Sequence, residues 1–192
     1  MSKENLYVRT KDAAILSGPM NIRQIAASGH PLEEFLPFEV SRLENASFAY
    51  RYDFKFEVRG QKVVGVYVPV MKTLVEVINA LYQDAPGEAR TDKVASDVTE
   101  EQRLVLQKAV DDFADKQLND FVATKNYGNI VSAISYETSG VAQFKADALR
   151  VKTLRDQTWS SLIDYMSALI NETEMLPKTL ADVTAKLPTY TW

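Results

Sequence analysis

Between Ser47 and Val58 the chain alternates strictly: Phe48, Tyr50, Tyr52, Phe54, Phe56 and Val58 share one parity, and Arg51, Asp53, Lys55 and Glu57 the other. A period of two belongs to a strand with one face on a core and one in water. Arg59-Gly60-Gln61-Lys62 offers a glycine-bearing turn, and Val64, Val66, Val68 and Val70 resume the β-branched pattern, so residues 47–70 are predicted to form an antiparallel hairpin. Pro69 has no N–H to donate, so the second strand should end there or lie at an edge. From Met71 to Gln83 the spacing turns helical, with Leu74, Val75, Ile78, Leu81 and Tyr82 clustered, and this helix 71–83 is expected to pack on the hairpin's aromatic face. A lone hairpin is marginal in water. Leu6 to Arg9 and Phe38 to Ser41 are the expected additional strands, unless a neighbouring subunit supplies them.

Residues 1–45 carry a weaker pattern. Ser17-Gly18-Pro19 and Ser28-Gly29-His30-Pro31 leave a short apolar run at Ile22, Ile25 and Ala26, which suits a helix of one or two turns. Phe35-Leu36-Pro37-Phe38 is interrupted by proline and reads as an extended strap. Ala85 to Val98, with Pro86-Gly87 and almost no large apolar side chain, reads as a connector.

Thr99 followed three residues later by Gln102 is a capping box, and Leu104, Val105, Ala109, Phe113, Leu118 and Phe121 supply the stripe of a helix running to about Thr124. Asn126-Tyr127-Gly128-Asn129 stops it. Ile130, Val131, Ile134 and Tyr136 suit a short helix, and Val141 to about Glu172 is a long amphipathic run carrying Phe144, Ala148, Val151, Leu154, Trp159, Leu162, Tyr165, Met166, Leu169 and Ile170. Leu176-Pro177-Lys178-Thr179 turns into a last short helix with Leu180, Val183 and Leu187 inward, closed by Pro188. The indole of Trp192 is expected to dock on the Trp159 helix. The fold class is therefore α+β: a mixed domain at 1–86, a linker at 87–98 and a helical domain at 99–192.

The 192 residues, 46% of them hydrophobic, suffice for one large core or two small ones. The net charge of −4 arises from interspersed acids and bases, which argues against nucleic acid as the main partner. The absence of cysteine removes disulfides, thiolate zinc sites and cysteine nucleophiles together. No signal-peptide profile opens the chain and no stretch approaches the roughly 20 apolar residues that span a bilayer, so no membrane partner is expected and synthesis in the cytoplasm is.

Four segments in the last third form a recognisable order: Asn126-Tyr127-Gly128-Asn129-Ile130-Val131-Ser132-Ala133, Phe144-Lys145-Ala146-Asp147-Ala148-Leu149-Arg150, Leu154-Arg155-Asp156-Gln157-Thr158-Trp159 and Leu187-Pro188-Thr189-Tyr190-Thr191-Trp192. Together they resemble the small helical "RD..W / LP..W" domain of tailed-bacteriophage tail-fibre and virion-associated proteins. The resemblance covers roughly 120–192. Family members often have an aromatic residue ahead of Arg-Asp where this chain has Leu154, and the N-terminal half matches no fibre-shaft repeat. The resemblance implies a virion location, made in the host cytoplasm, and other phage structural proteins as partners.

Catalytic constellations are thin. His30 is the only histidine and sits between Gly29 and Pro31, where a loop role is expected. Asp111-Asp112 with Asp115, and Glu33-Glu34, could pair for acid–base work or hold magnesium, but such clusters ordinarily mark solvated helix faces. No glycine-rich phosphate loop occurs. No cofactor or metal is expected, and Arg155 and Asp156 suit a structural role orienting helices. The aromatic strand face offers more apolar surface than one short helix covers, so Phe48, Tyr50, Tyr52, Phe54 and Phe56 double as interface candidates, with Arg155, Trp159 and Trp192.

The expected function is that of a non-enzymatic virion protein making assembly contacts, working as a homo-oligomer or within a symmetric assembly. Two alternatives stand beside it: a tail or tail-fibre assembly chaperone that leaves the mature particle, and a small hydrolase using Asp53 or Glu57.

Overall fold

A computed structural model of the protein describes residues 6–11, 14–15, 19–40, 46–83 and 90–192. The fold is α+β, with a curled mixed sheet in the N-terminal half and a mostly helical C-terminal half. The chain divides into two compact units, 1–71 and 72–192. Ser41 and the Pro86-Gly87 of the expected connector lie outside the described residues.

In the first unit β1 (Leu6–Lys11), β2 (Ala14–Ile15), β3 (Phe35–Val40), β4 (Tyr50–Arg59) and β5 (Lys62–Met71) form a sheet in the order β2-β1-β3-β5-β4. β1 runs antiparallel to β3, and β3 runs parallel to β5 from Phe38↔Val63 to Val40↔Gly65. The additional strands fall where the sequence placed them. The Phe35–Phe38 strap, however, is part of β3 rather than an irregular crossing, because its backbone is paired with β1.

β4 and β5 pair without a bulge from Arg59↔Lys62 to Tyr50↔Met71. Gly60 has φ +62° in the two-residue turn, the conformation a hairpin demands of its first loop residue and one that glycine adopts without strain. Strand β5 does not stop at Pro69. Counting from the turn, the backbone groups of Val64, Val66, Val68 and Val70 bond to β4, so the missing N–H of Pro69 would face the other side, where β3 no longer pairs. Phe48 precedes the strand, in a turn at 48–49.

Helix α1 (Ile22–Ser28) makes two turns, where one or two were expected, with Asn21 accepting from the backbone of Arg23 and Gln24 and Gly29 closing it at φ +71°. Among the described residues of this unit, Val8, Ile25, Phe35, Val63 and Val64 are buried.

The second unit holds α2 (Leu74–Tyr82), α3 (Glu100–Ala123), α4 (Ile130–Ile134), α5 (Ala142–Ile170) and α6 (Leu180–Thr184). The Thr99/Gln102 capping box opens α3 as read from sequence, and Thr73/Glu76 and Thr179/Asp182 cap α2 and α6 in the same way. Helix α2 falls within this unit. It packs on α3 and α6, burying Leu74, Val77, Ile78, Leu81 and Tyr82, and the Tyr82 hydroxyl donates to the Leu176 carbonyl at 2.9 Å.

The described part of the expected linker is tied down. Arg90 donates to Asn79 Oδ1 at 2.6 Å, Lys93 to the Leu81 carbonyl at 2.6 Å, and the Leu176 N–H to the Lys93 carbonyl at 2.8 Å. Ala95 and Val98 are buried. A stretch poor in large apolar residues is here an ordered strap held by its cations.

The buried stripe of α3 is shifted from the expected one, and that of α5 follows the expected run but is narrower. In α3 Leu106, Ala109, Val110, Ala114, Leu118, Phe121 and Val122 are buried and Leu104 is exposed; in α5 the buried line includes Ala148, Val151, Leu154, Leu162, Tyr165 and Leu169, while Phe144 and Ile170 are exposed. Small residues mark where the helices approach, so alanine rather than the largest side chain identifies the packed face. None of the helices among the described residues is long and apolar enough to cross a membrane.

Candidate interaction surfaces

Strand pairing puts directly opposed residues on the same face, so Tyr50, Tyr52, Phe54, Phe56 and Val58 share a face with Met71, Pro69, Tyr67, Gly65 and Val63. Phe38 and Leu6 extend that face across β3 and β1. Ring contacts knit it together: Phe38 to Phe56 at 5.6 Å, Phe56 to Phe54 at 5.2 Å and Phe54 to Tyr67 at 5.1 Å between centroids. Gly65 makes the arrangement possible. A Cβ there would lie 2.3 Å from Phe54 Cζ and 3.1 Å from Phe38 Cζ, so the ring of Phe54 lies across the bare backbone of the neighbouring strand. The face is still incompletely covered: Phe54 retains 41% and Tyr67 38% of its surface, and no residue of β4 is fully buried.

The second surface lies in the helical unit. Phe144, Tyr136, Tyr127, Trp192, Phe121 and Tyr190 form a chain of rings with successive centroids 5.3, 5.8, 6.2, 4.3 and 5.8 Å apart. Trp192 stacks on Phe121 of α3 and its Nε1 donates to Thr124 Oγ1 at 2.8 Å, while Lys125 Nζ sits 4.1 Å above the indole. The indole thus rests on α3, where the expected dock was the Trp159 helix. Helix α5 holds the tail elsewhere, through Arg150 to the Thr191 carbonyl at 2.9 Å and through Thr158 Oγ1, 3.0 Å from the Tyr190 hydroxyl.

Under the rings lies a buried carboxylate, Asp147, with 6% of its surface exposed. It accepts from Lys125 Nζ at 2.6 Å, Gln143 Nε2 at 2.9 Å and the Tyr127 hydroxyl at 3.1 Å. Burial pushes its pKa up, but the three donors and the lysine charge outweigh burial and hold it below the ordinary carboxylate value. Tyr127 is correspondingly raised, by burial and then by the bond to Asp147. These groups, with Tyr136 and Phe144, line an open groove of about 610 Å³. The carboxylate's donors come from within the fold, which makes it a buried anchor between α5 and the 124–129 loop.

The four segments singled out in the sequence meet in this one region. Tyr127 and Ile130, Asp147, Leu154 with Thr158, and Tyr190 with Trp192 all pack on or beside the cluster of Leu118, Phe121, Val122, Ala133, Val151 and Leu154.

No family model, curated protein or solved structure gives a significant match to the chain.

The remaining candidates are placed elsewhere on the two units. Arg155 donates to its own neighbour Asp156 at 2.6 Å and so is engaged along its helix rather than across to another. Trp159 is half-buried on α5. Arg9 bonds Glu34 at 2.7 Å and lies 3.0 Å from His30 Nε2. Asp112 pairs with Lys108 at 2.9 Å on an exposed helix face, and among the described residues no group of three or more histidines and acids is placed to hold a metal. Asp53 and Glu57 are each gathered with an arginine of their own strand, Arg51 at 3.3 Å and Arg59 at 2.6 Å, rather than with a second carboxylate.

Sequence reasoning missed one surface. Trp159, Ile163, Met166 and Ile170 follow a four-three-four spacing on the outer side of α5, with Ile163 68% and Ile170 62% exposed. Beside it an apolar groove of about 360 Å³ runs between α3 and α5, lined by Leu104, Leu106, Met166, Leu169, Ile170 and Leu176. The spacing is present in the sequence, but Trp159, Met166 and Ile170 are assigned to the expected core stripe and Ile163 is left out of it.

Proposed function

We propose that the chain is a non-catalytic structural protein of a tailed-bacteriophage particle, making assembly contacts through exposed aromatic surface. The observation that supports this best is the sheet face bearing Phe54 and Tyr67, flanked by the exposed Leu6 and Met71. Large rings bury much area at little rotamer cost, which favours them at interfaces, and a contiguous apolar patch on a folded surface marks a contact site. The phage assignment itself rests on the order of the four C-terminal segments. Copies fixed on a symmetric particle meet at high effective concentration, so modest contacts suffice.

Quantitative mass spectrometry of purified particles, from the phage that encodes the chain, tests the assignment. The chain should be present at a fixed copy number. Its presence in infected-cell lysate but absence from particles would transfer the proposal to an assembly chaperone; failure to associate with particles or assembly intermediates would contradict both.

A further inference from the structure

The outer edge of the hairpin sheet deepens the assembly proposal, on which it rests, by naming one partner surface. Strand β4 ends the sheet order. Because Arg59↔Lys62 flanks a two-residue turn and the register has no bulge, Arg51, Asp53, Lys55, Glu57 and Arg59 direct their backbone groups at β5. Tyr52, Phe54, Phe56 and Val58 therefore turn N–H and C=O outward. Among the described residues those outward groups have no backbone hydrogen-bond partner. β2 lies near β4, but it is two residues long and pairs with β1.

Such an edge is a template for another strand. Its side chains specify which one. The face opposite the aromatics reads Arg51, Asp53, Lys55, Glu57, Arg59, alternating in sign along the strand. When two copies of β4 pair antiparallel about a two-fold axis through an aromatic position, every cross-strand charge pair is of opposite sign. With the axis at Phe54, Asp53 faces Lys55 of the second copy and Arg51 faces Glu57 of the second copy, twice each by symmetry. On the other face Phe54 meets its own counterpart, and Tyr52 meets Phe56 of the second copy. An axis at Lys55 would instead oppose Lys55 to itself, Asp53 to Glu57 and Arg51 to Arg59. It would also require the backbone groups already bonded to β5. An axis at Phe56 keeps the charge rule, but it sets Tyr52 against the Gly60 turn and leaves Tyr50 unpaired.

The geometry points to a homodimer in which β4 pairs with β4 of a second copy about Phe54, joining two sheets into one. Hydrogen-bond parity and charge alternation are independent properties of the strand, and both select an aromatic axis. The Phe54 axis uses Tyr50 to Val58, nearly the whole ten-residue strand.

The test is sedimentation velocity of the full-length chain at micromolar concentration, with far-UV circular dichroism to confirm that each variant folds. Wild type should dimerise. Asp53→Lys places two lysine pairs across the seam and Lys55→Asp two aspartate pairs, so each variant alone should lose affinity by roughly tenfold or more. An equimolar mixture of the two restores every pair and should dimerise as wild type does. About the Phe56 axis, by contrast, the mixture would keep two like-charged contacts, so recovery on mixing identifies the register. A monomeric wild type, variants that dimerise unchanged, or a mixture that stays monomeric would each overturn the interface. If a monomeric chain is nevertheless retained on particles, only this inference falls; without self-association or retention, the assembly proposal falls with it.

Discussion

Replacing Asp147 by alanine removes the one acceptor that joins Lys125, Tyr127 and Gln143. Breaking a fully buried ion pair by deleting one partner costs about 3–5 kcal/mol, because the surviving charge is stranded. Here the survivor is not fully stranded: the Lys125 side chain keeps 33% of its surface and can swing toward water, as can the exposed Gln143. The expected loss is therefore about 2–3 kcal/mol, including the Tyr127 hydroxyl bond. Both tryptophans, Trp159 and Trp192, lie in the helical unit, so indole fluorescence during urea unfolding reports that unit selectively. A loss below about 0.5 kcal/mol would refute the anchoring role, since that is the range of an ordinary surface substitution. The pH dependence carries the sign. A carboxylate whose folded value is depressed contributes stability fully present above its unfolded value, about pH 4, and lost as pH falls through the folded value. Wild type and Asp147→Asn should therefore differ most at neutral pH and converge in acid.

Three further outcomes are expected. Gly65→Ala places a methyl where Phe54 Cζ lies 2.3 Å away and should cost about 1–3 kcal/mol, read as faster hydrogen exchange of the β4 and β5 amides; Phe54→Ala in the same chain should relieve part of that loss, a non-additivity that independent sites would not give. Trp192→Ala removes the Phe121 stack, the Lys125 contact and the bond to Thr124, and should lower helical-unit stability by about 1–2 kcal/mol in urea titrations followed by circular dichroism, with Trp192→Phe costing less because it keeps the stack. Thr99→Ala uncaps α3 and should cost about 1 kcal/mol, seen as a lowered thermal midpoint.

The parts of the fold legible in sequence are those written in local chemistry. Thr99 with Gln102, the alternation from Tyr50 to Val58 and the Gly60 turn each specify their element through interactions within a few residues. Partners chosen through space were not legible. The period of α2 gave its helix, but nothing local said that its face would meet α3 and α6. The aromatic tail is legible as needing a dock, but the sequence pointed it to the Trp159 helix, and nothing local marks Phe121 of α3 as its partner. Nothing local singles out Asp147, because its donors come from the 125–127 loop and from Gln143 one turn away. The charge alternation of β4 was in plain view. It gained meaning only when the sheet order placed that strand at an edge.

The central claim, that exposed aromatic surface fixes this chain to a phage assembly, is tested most directly by retention on purified particles or tail intermediates. Wild-type chain and a Phe54→Ser, Tyr67→Ser double variant are compared at equal concentration, with hydrogen exchange of the sheet confirming that the variant still folds. Saturable binding of the wild type and its loss in the variant are expected. Equal binding by the two chains, or none by either, would contradict the claim.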